Sequence, residues 1–131
     1  MNEKELISEY NTLLKYIEEL RIEHDNILNQ INELDYSINS LNELKNISNE
    51  KEILFPFVNG VLVKGKITFK DKVLVNIGHN VVVEKSIDEA KELIKKRKED
   101  LEIYLNEIKR YLEIYTQRIN EIIKILKRKG D

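Results

Sequence analysis

One stretch of the sequence, Gly60-Val61-Leu62-Val63-Lys64-Gly65-Lys66, nearly matches the phosphate-binding loop of nucleotide-hydrolysing proteins. That loop requires a Ser or Thr directly after its final Lys, because the hydroxyl oxygen binds the magnesium ion. Ile67 stands at that position, and the residues between the two glycines read as a β-strand. The stretch therefore predicts a strand and not a nucleotide site.

The other candidates for chemistry are two histidines, His24 and His79, in a chain without cysteine. They fall in different segments, and neither belongs to a readable nucleophile–base pair or carboxylate–histidine cluster. His24 interrupts an apolar helical repeat, where a polar residue more often sets the register than binds a ligand, and His79 is typical of a turn. We expect no catalysis, no cofactor and no metal site.

The charge balance bears on possible partners. The chain carries 24 acidic and 22 basic residues, whereas nucleic-acid-binding proteins usually leave a strongly basic footprint. Basic runs at Lys95–Lys98 and Lys127–Lys129 are offset by acidic residues on the same segments. No apolar run approaches the about 18 residues that span a bilayer, and no signal peptide is visible. We expect a cytoplasmic protein that binds neither nucleic acid nor membrane.

Two long segments repeat apolar residues at alternating spacings of four and three, which is the seam of a coiled coil. The first segment, residues 3–48, has the seam positions Leu6, Tyr10, Leu13, Ile17, Leu20, His24, Ile27, Ile31, Leu34, Ile38 and Leu41. The second, residues 86–129, has Leu101, Leu105, Ile108, Leu112, Tyr115, Ile119, Ile122 and Leu126. Ser86 and Glu89 have the spacing of a capping box, which predicts where the second helix starts.

The two seams share one fold-back register. If the chain reverses direction between the two segments, Leu6 faces Leu126. Moving along both helices, each seam residue of the first segment then faces a seam residue of the second, for example Leu13 and Ile119. Two repeats of about 65 Å each that match in this way predict an antiparallel two-helix coiled coil.

Between the helices, residues 53–85 change to the two-residue period of β-strands. Asn59-Gly60 is a strong hairpin-turn dipeptide, with positive φ expected at both residues, and Gly78-His79-Asn80 predicts a second turn. Pro56 lacks an amide donor, so its strand should be bulged or at an edge. The sequence thus predicts an α+β fold, one domain over residues 1–131, with two β-hairpins inserted at the bend of a helical hairpin.

Isolated hairpins are marginally stable in water, so their apolar residues should pack on something else. We expect strands of several subunits to join in an oligomeric β-barrel, with the hairpins folding onto their own helices as the alternative. The predicted oligomerisation residues are Phe55, Phe57, Val61, Val63, Ile67, Phe69, Val73, Val75, Ile77, Val81 and Val83.

This order of elements, and strand motifs such as Phe55–Gly60, Val63–Ile67 and Asp71–Gly78, resemble the α class of prefoldin subunits. Phe57 departs from the smaller aliphatic residue common there. The resemblance implies an ATP-independent holdase that captures non-native proteins at coiled-coil tips and delivers them to a group II chaperonin. It also implies a hexamer of two α and four β subunits.

A physical counterpart of such a tip is a group of apolar residues near both ends of the chain. Ile7, Leu14, Ile123 and Ile125 fall outside the seam, and we expect them to face solvent or bind something. The predicted client-binding residues are Leu6, Ile7, Tyr10, Leu14, Ile122, Ile123, Ile125 and Leu126. Three alternatives stay open: scattered surface isoleucines, a homo-oligomer or filament, and a coiled-coil tether that holds fixed partners apart.

Overall fold

The structure, a computed structural model, describes residues 1–47, 50–68 and 71–130. Its elements follow in the order α1 (Glu3–Leu44), β1 (Glu52–Val58), β2 (Val61–Lys66), β3 (Lys72–Gly78), β4 (Val81–Ser86) and α2 (Ile87–Lys129). The predicted helix end at Ser48 and the predicted interface residue Phe69 lie outside the described residues. The fold divides into two compact units, one of residues 1–33 with those from 98 onward, the other of residues 34–97.

Both helices begin at a side-chain cap. The Asn2 Oδ1 atom accepts from the Glu5 amide at 2.8 Å. At the start of α2 the Ser86 hydroxyl accepts from the Glu89 amide at 3.1 Å, and the Ser86 amide donates to the Glu89 carboxylate at 3.3 Å. This reciprocal pair satisfies two amides that a helix start leaves unpaired, so the predicted capping box is confirmed.

The first unit is held together by the apolar seam between α1 and α2. One buried cluster contains Leu6, Leu13, Ile17, Ile119 and Ile122. The next contains Ile27, Ile31, Leu105 and Ile108. Residues predicted to face each other, such as Leu13 with Ile119, share a cluster, which confirms the antiparallel register. Each such side chain contributes about 1.5–3 kcal/mol when removed from water.

The second unit contains two separate two-stranded antiparallel sheets, β1–β2 and β3–β4. Their registers are the same at an offset of 20 residues: Glu52 pairs with Lys66 in the first, and Lys72 pairs with Ser86 in the second. Each register shifts at the equivalent place, between Pro56 and Val58 and between Asn76 and Gly78. The bulge predicted from Pro56 is therefore present, but the second hairpin makes it without a proline.

The two turns differ in backbone conformation. In the second, His79 and Asn80 both have positive φ, 51° and 61°. In the first turn, Gly60 has a φ of 78°, whereas the φ of Asn59 is not positive. The expectation for Asn59 was therefore wrong: only the second central position has a positive φ, which glycine adopts without steric cost.

Two further contacts belong to the second unit. The Lys45 ammonium pairs with the Asp88 carboxylate, and this hydrogen bond holds the pKa of Asp88 below its ordinary value. The Arg97 guanidinium donates to the Asn76 carbonyl at 3.2 Å and so joins α2 to the second hairpin. In the described part of the chain, no helix is long and apolar enough to cross a membrane.

Candidate functional site

The two ends of the chain lie together at one end of the coiled coil, which we call the tip. The Lys129 ammonium donates to the Met1 carbonyl at 3.4 Å. The Arg118 guanidinium makes two hydrogen bonds to the Glu9 carboxylate, at 2.7 and 3.0 Å, and a third to Glu121 at 3.2 Å. These contacts tie the first turns of α1 to the last turns of α2.

The structure separates the eight predicted tip residues by burial. Leu6 and Ile122 are buried in the seam, with 2% and 0% of their surface exposed. Tyr10, Ile123, Ile125 and Leu126 are half-buried and pack against that cluster. Ile7 and Leu14 are exposed at 44% and 43%.

Ile123 and Ile125 are therefore partly covered by the packing between the helices, whereas the sequence analysis expected them, like Ile7 and Leu14, to face solvent or bind something. They flank the seam on α2 and pack against the buried cluster of the tip.

The coiled coil has one polar and aromatic flank. Along it, Glu9 pairs with Arg118 and Glu23 accepts from the Tyr104 hydroxyl. The hydrogen bond from Arg118 holds the pKa of Glu9 below its ordinary value, and that from Tyr104 to the Glu23 carboxylate raises the pKa of Tyr104. Between these two pairs Tyr16 packs against Tyr115.

Helical geometry places Ile7 and Leu14 on the opposite flank of α1. Here a groove of about 600 Å³ has a mixed lining of apolar and polar side chains: Leu14, Ile17, Glu18, Arg21, Ile22, Asp25, Thr116 and Ile119. Ile22 and, further along α1, Leu28 are exposed at 59% and 40%. An exposed apolar row beside an already filled seam is available for binding.

The hairpins present a second candidate surface. Six of the predicted oligomerisation residues are exposed, with at least 44% of their surface open to solvent: Phe55, Phe57, Val61, Val63, Ile77 and Val81. Four others are less exposed and count as half-buried: Ile67, Val73, Val75 and Val83. The ring of Phe55 lies over Gly65, where an added Cβ would come within 2.6 Å of it. A side chain at position 65 would therefore displace the ring of Phe55 from this position.

The sequence-based selection missed the other face of each hairpin. Leu54, Leu62, Leu74 and Val82 are exposed at 57%, 58%, 75% and 54%, and they occupy equivalent positions in the two hairpins. A signal was present, because Val61–Val63, Val73–Val75 and Val81–Val83 are unbroken apolar runs. Such runs are typical of strands that are covered on both faces.

The positions first considered for chemistry lie in ordinary structure. Val61–Lys66 of the nucleotide-loop match forms strand β2. His24 Nδ1 lies 3.0 Å from the carboxylate of its neighbour Asp25, and His79 occupies a turn. Among residues 1–47, 50–68 and 71–130, no group of three or more His, Cys, Asp or Glu could hold a metal ion.

Comparisons with known proteins show which family the chain belongs to. A family model described as "Prefoldin subunit" matches residues 13–131. "Prefoldin subunit alpha" of Thermofilum pendens is 39% identical over 117 residues, which cover 89% of this chain and 91% of that protein. "Prefoldin subunit alpha" of Methanobrevibacter smithii is 31% identical over 121 residues, covering 87% and 80%. The cryo-EM structure of filamentous PFD from Methanocaldococcus jannaschii has the same fold, with a TM-score of 0.80, 24% identity and coverage of 95% and 98%.

Proposed function

The chain belongs to the prefoldin family as an α-type subunit, and we propose that it is an ATP-independent holdase that captures non-native proteins at the coiled-coil tip. Prefoldin is a family of chaperone subunits and not of enzymes. Captured chains would then pass to a group II chaperonin.

One observation supports this proposal above the others: Ile7 and Leu14 stay exposed although the seam beside them is filled. A two-stranded coil needs only its seam positions for stability. Apolar side chains without such a structural task can make weak, non-directional contacts, which tolerate many different clients. Burying one such side chain against a client contributes about 1.5–3 kcal/mol before the cost of ordering the client.

We propose that the hairpins, residues 53–85, build the body of the assembly. Two-stranded sheets are marginal alone, and here apolar residues are exposed on both faces of both sheets. Pairing with β-type prefoldin subunits, two α with four β, would cover those faces in a shared barrel. Phe69, which lies outside the described residues, belongs to the same proposed interface.

The holdase function is tested by light scattering from a chemically denatured client diluted into buffer without ATP. The assembled complex at stoichiometric ratio is expected to suppress most of the scattering. A complex of the correct mass that leaves the client to precipitate as it does in buffer would refute the proposal.

The tip assignment is tested by changing Ile7→Ser and Leu14→Ser together. Both side chains are exposed, so the coil should keep its stability while suppression falls at least several-fold. Ile103→Ser is the matched control, because Ile103 is 62% exposed but lies away from the tip on α2. Equal activity of both variants, or equal loss in both, would contradict a client site at the tip.

A second candidate is self-assembly into a homo-oligomer or filament. The equivalent registers of the two hairpins favour it, since one chain then offers two similar apolar surfaces to its neighbours. The relative with the same fold is described as filamentous. Native mass spectrometry of the chain alone and with a β-type subunit separates the candidates. A large species from the chain alone supports self-assembly, and a large species only in the mixture supports the hexamer.

A further inference from the structure

We propose that a groove on the aromatic flank of the coiled coil binds a lysine or arginine side chain of a partner polypeptide. This tyrosine groove has a volume of about 340 Å³ and is lined by Tyr16, Glu19, Leu20, Glu23, Tyr111 and Tyr115. It lies on the opposite flank from Ile7 and Leu14, so the inference does not depend on the proposed client site.

Three aromatic rings form the walls. The Tyr16 and Tyr115 ring centroids are 5.9 Å apart with an interplanar angle of 42°. Those of Tyr111 and Tyr115 are 6.1 Å apart at 33°. Tyr16 and Tyr111 are exposed at 45% and 44%, so a ligand can reach their rings from solvent. Aromatic faces carry partial negative charge and attract cations that lie within about 6 Å of the ring centre.

Two carboxylates in the groove favour a positively charged ligand. Glu19 and Glu23 line the groove beside the rings. Glu23 already accepts from the Tyr104 hydroxyl. In the described part of the chain Glu19 makes no ion pair. An unpaired carboxylate next to aromatic faces is complementary to a guanidinium or ammonium group on an apolar stem.

One of the three rings, that of Tyr111, already contacts a cation from the neighbouring residue. The Arg110 guanidinium carbon lies 5.5 Å from the centroid of the Tyr111 ring. In the described residues the groove therefore combines two carboxylates without an ion pair, of which Glu23 accepts from the Tyr104 hydroxyl, with two rings, Tyr16 and Tyr115, that have no cation contact. Its occupant would be a basic side chain, in contrast to the apolar groups that suit the groove at Leu14.

The experiment uses the full chain with ring-labelled tyrosine and two short peptide probes, acetyl-Gly-Arg-Gly-amide and the same peptide with citrulline. Citrulline keeps the shape of arginine and removes the charge. The arginine peptide should shift a subset of tyrosine ring signals saturably in NMR spectra, and the citrulline peptide should not. Equal shifts with both peptides, or no shift with either at about ten millimolar, would overturn the proposal.

Variants connect the binding to the groove. Tyr16→Leu keeps an apolar contact with Tyr115 and removes the ring, and Glu19→Gln removes only charge. Each should weaken arginine-peptide binding about five-fold, whereas Ile103→Ala, at an exposed residue that does not line the groove, should leave it unchanged. Helix content and the thermal midpoint from circular dichroism verify folding of each variant. Unchanged binding in folded Tyr16→Leu and Glu19→Gln would also refute the site.

Discussion

At the scale of the residue, exposure separates side chains that stabilise the coil from those available to bind. Ile122 and Ile103 show the difference within one helix: the first has 0% of its surface exposed and the second 62%. Leu6 and Ile7 are neighbours in sequence with the same contrast. A substitution at the tip therefore tests the proposed client binding, without also destabilising the coil, only where the wild-type side chain is exposed.

Truncation of Ile122 should destabilise the coil strongly. Ile122→Ala removes buried methyl and methylene groups and leaves a cavity, so we expect the free energy of unfolding to fall by about 2–4 kcal/mol. Ile103→Ala should change it by less than about 0.5 kcal/mol. Urea unfolding of both variants, followed by circular dichroism, measures the difference. Similar losses in the two variants would show that the seam is not packed as described.

The Glu9–Arg118 pair should make stability depend on acid pH. Because the pKa of Glu9 is lowered in the folded state, its contribution is present above the ordinary value of 4.5 and is lost as the pH falls through the lowered pKa. Glu9→Gln should lower the thermal midpoint by about 1–4 °C at pH 7, and the deficit should shrink progressively in a series of more acid buffers as the pH falls through the lowered pKa. Glu113→Gln, an exposed change on α2, is the control. A deficit for Glu9→Gln that stays constant down to the most acid buffer in which the wild type still folds would contradict the role of the pair.

At the scale of the element, helix starts and strand registers are set by local chemistry. Ser86 closes strand β4 and caps α2 at the same time, so one residue fixes where the chain changes from sheet to helix. Both hairpins bulge two residues before their turns, and the shared register makes them equivalent units. The bulge is thus a property of the hairpin and not of Pro56 alone.

Loss of the Ser86 cap should be measurable at the start of α2. Ser86→Ala leaves the Glu89 amide without its acceptor and should lower the free energy of unfolding by about 1 kcal/mol. Hydrogen exchange at the first-turn amides of α2 should accelerate in the same variant. Ser8→Ala is the control, because Ser8 lies inside α1, where alanine is at least as favourable. Equal exchange in wild type and Ser86→Ala would disprove the capping role.

At the scale of the whole molecule, the chain keeps its coil seam filled and leaves both faces of both hairpins partly open. Nothing within the described residues closes the two sheets into one barrel, since β1–β2 and β3–β4 remain separate. The exposed leucines and valines there are equivalent between hairpins, so the surface that an assembly must cover is repeated. Assembly should therefore be sensitive to charge on these faces.

Leu74 gives the sharpest test of that interface. It is 75% exposed on β3, so Leu74→Asp should leave the subunit folded while it shifts the population from the assembled to the single subunit at least ten-fold. Asn76→Asp is the matched control, because it adds the same charge on the same face and strand and keeps the acceptor for the Gly78 amide. Native mass spectrometry with a β-type subunit measures both. Full assembly of Leu74→Asp would exclude this face from the interface, and equal disruption by both variants would show that the added charge, and not the loss of the leucine, disrupts assembly.

The sequence by itself determined the helices, their antiparallel register, the capping box and the two hairpins. These follow from periodicity and short-range spacing, and the register of Leu13 with Ile119 follows because a filled seam admits one alignment. The tertiary structure alone decided that Ile123 and Ile125 are half covered while Ile7 and Leu14 are open, and that Tyr16, Tyr111 and Tyr115 meet in one groove. Those outcomes depend on which side chains of the opposite helix contact the residues beside the seam. The apolar periodicity of the sequence gives the seam positions but not these contacts.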